Sequence, residues 1–147
     1  MNLDLSGKTA IVCGSTQGIG KATALQLAKM RANIVLVARD DVKLASVMDE
    51  LDISNGQKHN YIKADFNLPA ELKLRVEAFI KENGPAHILV NNTGGPPGGP
   101  AIGAKTDEYT SAFNMHLISN QCLAQAVVEG MKSEGYGRII NVISTSV

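Results

Sequence analysis

The sequence predicts an α/β protein built on a doubly wound parallel sheet. Apolar, strand-like runs alternate four times with helical patterns, and the chain closes on a fifth run. Such alternation gives a parallel sheet with right-handed crossovers and helices on both faces. The run Asn33-Ile34-Val35-Leu36-Val37-Ala38 is apolar without alternation, as in a strand covered on both faces. The turn Cys13-Gly14-Ser15-Thr16-Gln17-Gly18-Ile19-Gly20 joins the first strand to the first helix. Strand, glycine turn and helix together arrange backbone N–H groups around a phosphate.

The elements follow in order. Residues 8–13 are the first strand, and 18–31 the first helix, with Ile19, Thr23, Leu27 and Met30 at helical spacing. After the strand 33–38, Asp40 or Asp41 caps a helix running to Leu51, and Ser54-Asn55-Gly56 marks a turn. His59 to Ala64 is the third strand. Pro69 suits the first turn of the third helix, whose face is Leu72, Val76, Phe79 and Ile80, and Asn83-Gly84-Pro85 ends it. The fourth strand is His87 to Asn91. The following run, Asn92 to Pro100, holds too much glycine and proline for helix or central strand. Thr106 caps a long fourth helix with Phe113, Leu117, Ala124, Val127 and Met131 on its apolar face. Gly135 and Gly137 bracket the turn into a fifth strand, Arg138 to Ile143.

A length of 147 residues suits one domain. Lys and Arg number 14, as do Asp and Glu, and this balance argues against a nucleic-acid or membrane-surface protein. No apolar stretch is long enough for a membrane span, and Met1 to Lys8 lacks the pattern of a secretory signal. Cys13 and Cys122 are expected to be free, buried thiols. A cytoplasmic location is the expectation, and no metal site is expected.

The spacing of the turn, G-x-x-x-G-x-G, is neither the G-x-G-x-x-G dinucleotide fingerprint nor a P-loop. By itself it also fits an ordinary strand-to-helix turn. Three further pieces stand in register with it: Asp65 after the third strand, Asn91-Asn92-Thr93-Gly94, and Gly137-Arg138-Ile139-Ile140-Asn141-Val142-Ile143-Ser144. With residues 13–20 they resemble, in order, the T-G-x-x-x-G-I-G turn, the adenine-contacting acid, the N-N-A-G motif and the serine-ending strand of the short-chain dehydrogenase/reductase superfamily. The chain looks like the 3-oxoacyl-acyl-carrier-protein-reductase type.

The resemblance implies a Rossmann-type sheet of order 3-2-1-4-5, followed in the family by strands 6 and 7, and NAD(P)(H)-dependent chemistry on a carbonyl or alcohol substrate. Residues 1–147 would be an incomplete domain of this kind. It implies that Gly14, Gly18 and Gly20 shape the pyrophosphate turn and that Ser15, Thr16, Gln17 and Ile19 line it. Asp65 and Phe66 would sit beside the adenine, and Asn91, Thr93 and Gly94 beside the ribose and the cofactor cleft. Asn114 falls at the family's active-site asparagine. Ser144 falls at the serine that hydrogen-bonds the substrate.

Asp40 satisfies the usual count to a ribose-binding acid, but the tip of the second strand is Ala38, followed by Arg39. Arginine offers bidentate donors to a 2′-phosphate, and in the family this pairing goes with NADP(H). NADP(H) is favoured over NAD(H), although Gln17 stands where a basic turn residue would help.

The chain also departs from the family. Cys13 replaces a threonine, His87 stands where an acid is usual, and Thr93 replaces the alanine of N-N-A-G. His116 reads as a surface or packing residue rather than a base. The family's Tyr-x-x-x-Lys pair is absent, since Tyr61, Tyr109 and Tyr136 are followed four residues on by Asp65, Phe113 and Ile140. Residues 1–147 alone are therefore expected to be inactive, and a fragment or truncated product is the favoured origin. The fifth strand becomes an apolar edge that invites pairing, and a homo-oligomer is expected. The rival readings are a catalytically silent dinucleotide-binding module and a five-stranded flavodoxin-like binding domain.

Overall fold

The structure is a computed structural model and describes residues 3–95 and 98–143. Its strands are β1 (Thr9–Cys13), β2 (Asn33–Ala38), β3 (Asn60–Lys63), β4 (Ile88–Asn91) and β5 (Arg138–Asn141). They form one parallel sheet of order β3-β2-β1-β4-β5. The helices are α1 (Gly18–Lys29), α2 (Asp41–Asp49), α3 (Pro69–Asn83), α4 (Thr106–Phe113) and α5 (Ser119–Ser133). This is the expected doubly wound architecture, in the expected strand order.

Alternate residues of the central strands feed two cores. Ile11, Val35, Val37 and Leu89 face Leu72 and Val76 of α3 and Leu123 and Val127 of α5. Ala10, Val12, Ile34, Leu36 and Val90 face Ala24 and Ala28 of α1 and Leu44 and Val47 of α2. Burying each leucine or valine is worth about 1.5–3 kcal/mol, and both faces contribute, so the continuous apolar runs are explained.

The face of α1 differs from the periodicity reading. Gly20, Ala24 and Ala28 are its buried residues, while Ile19 is 61% exposed. Small residues let α1 approach β1 closely enough for the glycine turn to close. α2 begins as expected, with the Asp40 carboxylate accepting from the Lys43 backbone N–H at 3.1 Å. The fourth helical segment starts at Thr106, but its cap is Lys105, whose backbone N–H donates to the Glu108 carboxylate at 2.7 Å.

That segment is also not one regular helix. Asn114–Ile118 is a π-helical turn between α4 and α5. An inserted residue in a helix rotates everything before it by roughly 100°. Phe113 and Leu117, expected on the apolar face, are 59% and 55% exposed. Ser119, Leu123, Val127 and Met131 form the buried stripe instead. At the sheet edge β5 is shorter than expected, and all four of its residues are exposed. Among the described residues, no helix is long and apolar enough to cross a membrane.

Candidate functional site

A cleft of about 1110 Å³ opens at the carboxyl ends of β1, β2 and β4, where parallel sheets of this kind bind ligands. One wall is the glycine turn. Gly14 has φ +57° and lies so close to Asn92 that a Cβ would meet the Asn92 carbonyl oxygen at 2.6 Å. A Cβ on Gly20 would run into the Gly14 carbonyl. The Asn92 amide donates to the Cys13 and Gly14 carbonyls at 3.3 and 3.5 Å, which pins the end of β1. Asn92 was not among the expected site residues; its signal was the doubled asparagine at a strand end.

No side chain caps the N-terminus of α1, whereas Asp40 caps α2. The first-turn N–H groups of α1 therefore face the cleft without a side-chain acceptor, and such donors suit an anion. Thr16, Gln17, Gly18 and Ile19 line the cleft here. Ser15 does not: it is fully buried, and its hydroxyl lies 3.5 Å from the Val37 carbonyl. Burial pushes the Cys13 thiol up to about 12, against a hydrogen bond from the Asn92 backbone, so it holds its proton at neutral pH.

A second wall gathers charge at the tip of β2. Ala38 pairs in register with Lys63 of β3, and both border the cleft with Arg39, Asp40, Asp41 and Lys43. Lys63 is held by Asp41 at 2.8 Å, and Lys43 lies 3.9 Å from Asp40. The Asp41 carboxylate raises the Lys63 pKa by hydrogen bond and charge. Among the described residues Arg39 has no ion pair, so it is the uncompensated cation of this corner. Lys63 escaped the sequence reading because only strand register brings it to Arg39.

The third wall follows β3. Asp65 accepts the Asn67 backbone N–H at 2.9 Å, and Phe66 is 6% exposed. Both border the cleft. The buried Ser119 hydroxyl donates to the Phe66 carbonyl at 2.7 Å, and that of Ser111 donates to Asn67 at 2.6 Å. These bonds tie the loop to α5 and α4.

The last wall contains Thr93 and Gly94 after β4 and Met115 of the π-turn. Asn91 lies behind it, 1% exposed, donating to the Asn141 side chain at 2.8 Å. Asn114 opens the π-turn, and its carbonyl accepts the Ser119 N–H. His116, on the same turn, is half-buried and not a surface group: its Nδ1 lies 2.7 Å from Thr93 Oγ1. Ser144 lies outside the described residues. The described residues contain no cluster of three metal-ligating side chains.

A family model for the short chain dehydrogenases matches residues 8–147. The chain is 30% identical over 140 residues to a 3-oxoacyl-[acyl-carrier-protein] reductase of Pseudomonas aeruginosa, covering 95% of this chain and 56% of that protein. A solved structure of L-sorbose reductase from Gluconobacter frateurii, complexed with NADPH and L-sorbose, superposes with a TM-score of 0.88 at 33% identity. It covers 96% of this chain and 54% of that one. A metagenomic short-chain oxidoreductase in complex with NADP gives a TM-score of 0.88 at 31% identity, covering 97% and 63%. The chain spans about half the length of the curated relatives it matches.

Proposed function

The chain belongs to the short-chain dehydrogenase family, and on that premise we propose that residues 1–147 hold the NADP(H) site of an oxidoreductase acting on a carbonyl or alcohol substrate. The observation that carries this reading is the pairing of two anion sites across one cleft. The uncapped N-terminus of α1 takes the pyrophosphate through backbone N–H groups. Arg39, free of any carboxylate partner among the described residues, takes the 2′-phosphate of NADP(H). A bare ribose hydroxyl, as in NAD(H), gives that guanidinium much less to hold. Asp65 and Phe66 flank the adenine, and Thr93 and Gly94 border the remaining ribose. The L-sorbose reductase and metagenomic oxidoreductase structures, complexed with NADPH and NADP, support the same preference.

NADP(H), when bound, supplies or accepts the hydride. Asn114 is assigned to supporting proton transfer and Ser144 to hydrogen-bonding the substrate oxygen. Residues 1–147 contain no Tyr-x-x-x-Lys pair, so the chain by itself lacks that acid–base and is proposed to turn over negligibly. The alternative reading is a catalytically silent cofactor-binding module. Activity in a longer polypeptide carrying the pair distinguishes the two. A homo-oligomer in the cytoplasm, without nucleic-acid or membrane partners, belongs to the same proposal.

Arg39→Ala tests the cofactor assignment. One charge-assisted bidentate contact is worth about 1.5–3 kcal/mol, so NADPH affinity should fall roughly 10- to 100-fold while NADH affinity stays nearly constant. Equal losses for the two nucleotides would refute it.

A further inference from the structure

We propose that Thr93 and His116 form a built donor site in the cleft wall, with His116 a positioning residue that turns the Thr93 O–H toward an acceptor oxygen of the bound dinucleotide. The inference rests on the NADP(H) reading. Thr93 Oγ1 and His116 Nδ1 are 2.7 Å apart, so one hydrogen lies between them. His116 Nε2 is buried and has no hydrogen-bond partner among the described residues. A neutral imidazole carries one N–H. Were it on Nε2, a buried donor would stay unsatisfied, the rarer kind of orphan. With the hydrogen on Nδ1, the ring donates to Thr93 and leaves Nε2 as a bare acceptor. The Thr93 hydroxyl hydrogen is then free, and Thr93 borders the cleft.

The backbone around the pair supports this assignment. His116 sits in the π-turn Asn114–Ile118, a distortion frequent at functional sites. The turn is secured on its far side, where the Asn120 amide donates to the His116 carbonyl at 2.7 Å. Met115, its neighbour, borders the cleft beside Thr93. The imidazole therefore links the loop after β4 to the turn that carries Asn114, and it fixes which way the threonine hydroxyl points.

The test combines a tautomer measurement with a binding series on the 147-residue chain. Long-range ¹⁵N–¹H spectra, with His116→Asn used for assignment, should give the Nδ1–H tautomer; the Nε2–H tautomer would overturn the proposal. Thr93→Val should bind NADPH about tenfold more weakly, the cost of one hydrogen bond, and Thr93→Ser should bind as the unaltered chain does. His116→Phe should lose several-fold, and nothing further in a Thr93→Val background. His116→Asn, whose amide N–H stands near the Nδ1 position, should restore affinity. Thermal unfolding of each variant separates misfolding from lost contacts. NADPH binding by Thr93→Val equal to that of the unaltered chain would overturn this inference alone. Failure of the unaltered chain to bind NADPH would overturn the cofactor reading and this ligand assignment together.

Discussion

Alanine at the three turn glycines separates steric from conformational demands. Gly20 lies in the first turn of α1, where its φ is not in the left-handed region. Helix propensity alone makes Gly20→Ala stabilising by up to about 1 kcal/mol. The added Cβ, however, would fall on the Gly14 carbonyl and 2.9 Å from the Asn92 amide. Backbone cannot step aside as a flexible side chain does, and overpacking of this kind costs about 1–3 kcal/mol. Because the clash is with backbone, the cost lies toward the upper end of that range, and a net loss of about 1–2 kcal/mol is expected from the two effects. Gly14→Ala adds the left-handed penalty at φ +57° to its own collision with Asn92, for a loss of about 2–5 kcal/mol. Gly18→Ala meets no atom within 4 Å at φ +54°, so the conformational cost of about 1–2 kcal/mol stands alone. Urea unfolding of the three variants, paired with NADPH titration, reads both quantities. Gly14 should be the most damaging. A Gly20→Ala variant as stable as the unaltered protein would refute the close approach of α1 to the β1 turn.

Other consequences follow from buried groups. Burial, then the nearby Lys8 charge, lowers the His87 pKa despite the opposing Glu134. Its contribution to stability is therefore full above the unfolded value of about 6.5 and is lost as pH falls through that value toward the folded one. The loss cannot exceed about 1.4 kcal/mol per pH unit for one proton, and unfolding at pH 7.5 and 5.5 should show it in the unaltered chain but not in His87→Gln. Cys13, its thiol pushed up to about 12, should resist alkylation until the protein unfolds, whereas half-buried Cys122 reacts earlier; mass spectrometry of a timed iodoacetamide reaction checks the order. Ser119→Ala leaves the Phe66 carbonyl without its 2.7 Å donor and should cost about 1–3 kcal/mol, read by thermal unfolding together with weaker NADPH binding.

The sheet was legible because its strands are chemically uniform. Residues 33–38 carry no polar interruption after Asn33, and β2 has these same bounds. The strand order came with the family motifs, since alternation alone also fits a flavodoxin-like order. The face of α1 was misread because periodicity counts large apolar residues, while the turn requires small ones at Gly20, Ala24 and Ala28. The π-turn was invisible because Asn114-Met115-His116-Leu117-Ile118 differs in composition little from an ordinary helix. Of the residues that local motifs single out, Gly14, Gly18, Asp65 and Thr93 line the cleft, while Ser15 and Asn91 are buried behind it. Lys63, which only strand register brings to the cleft wall, was not singled out, and His116, read as a surface or packing residue, is half-buried against Thr93.

Titration of NADPH, NADH and FMN into the 147-residue chain tests the account at its centre. The two anion sites predict that NADPH binds, that NADH binds distinctly more weakly, and that FMN does not bind. Tight FMN binding, or no dinucleotide binding at all, would contradict the reading of the glycine turn and Arg39 as one NADP(H) site.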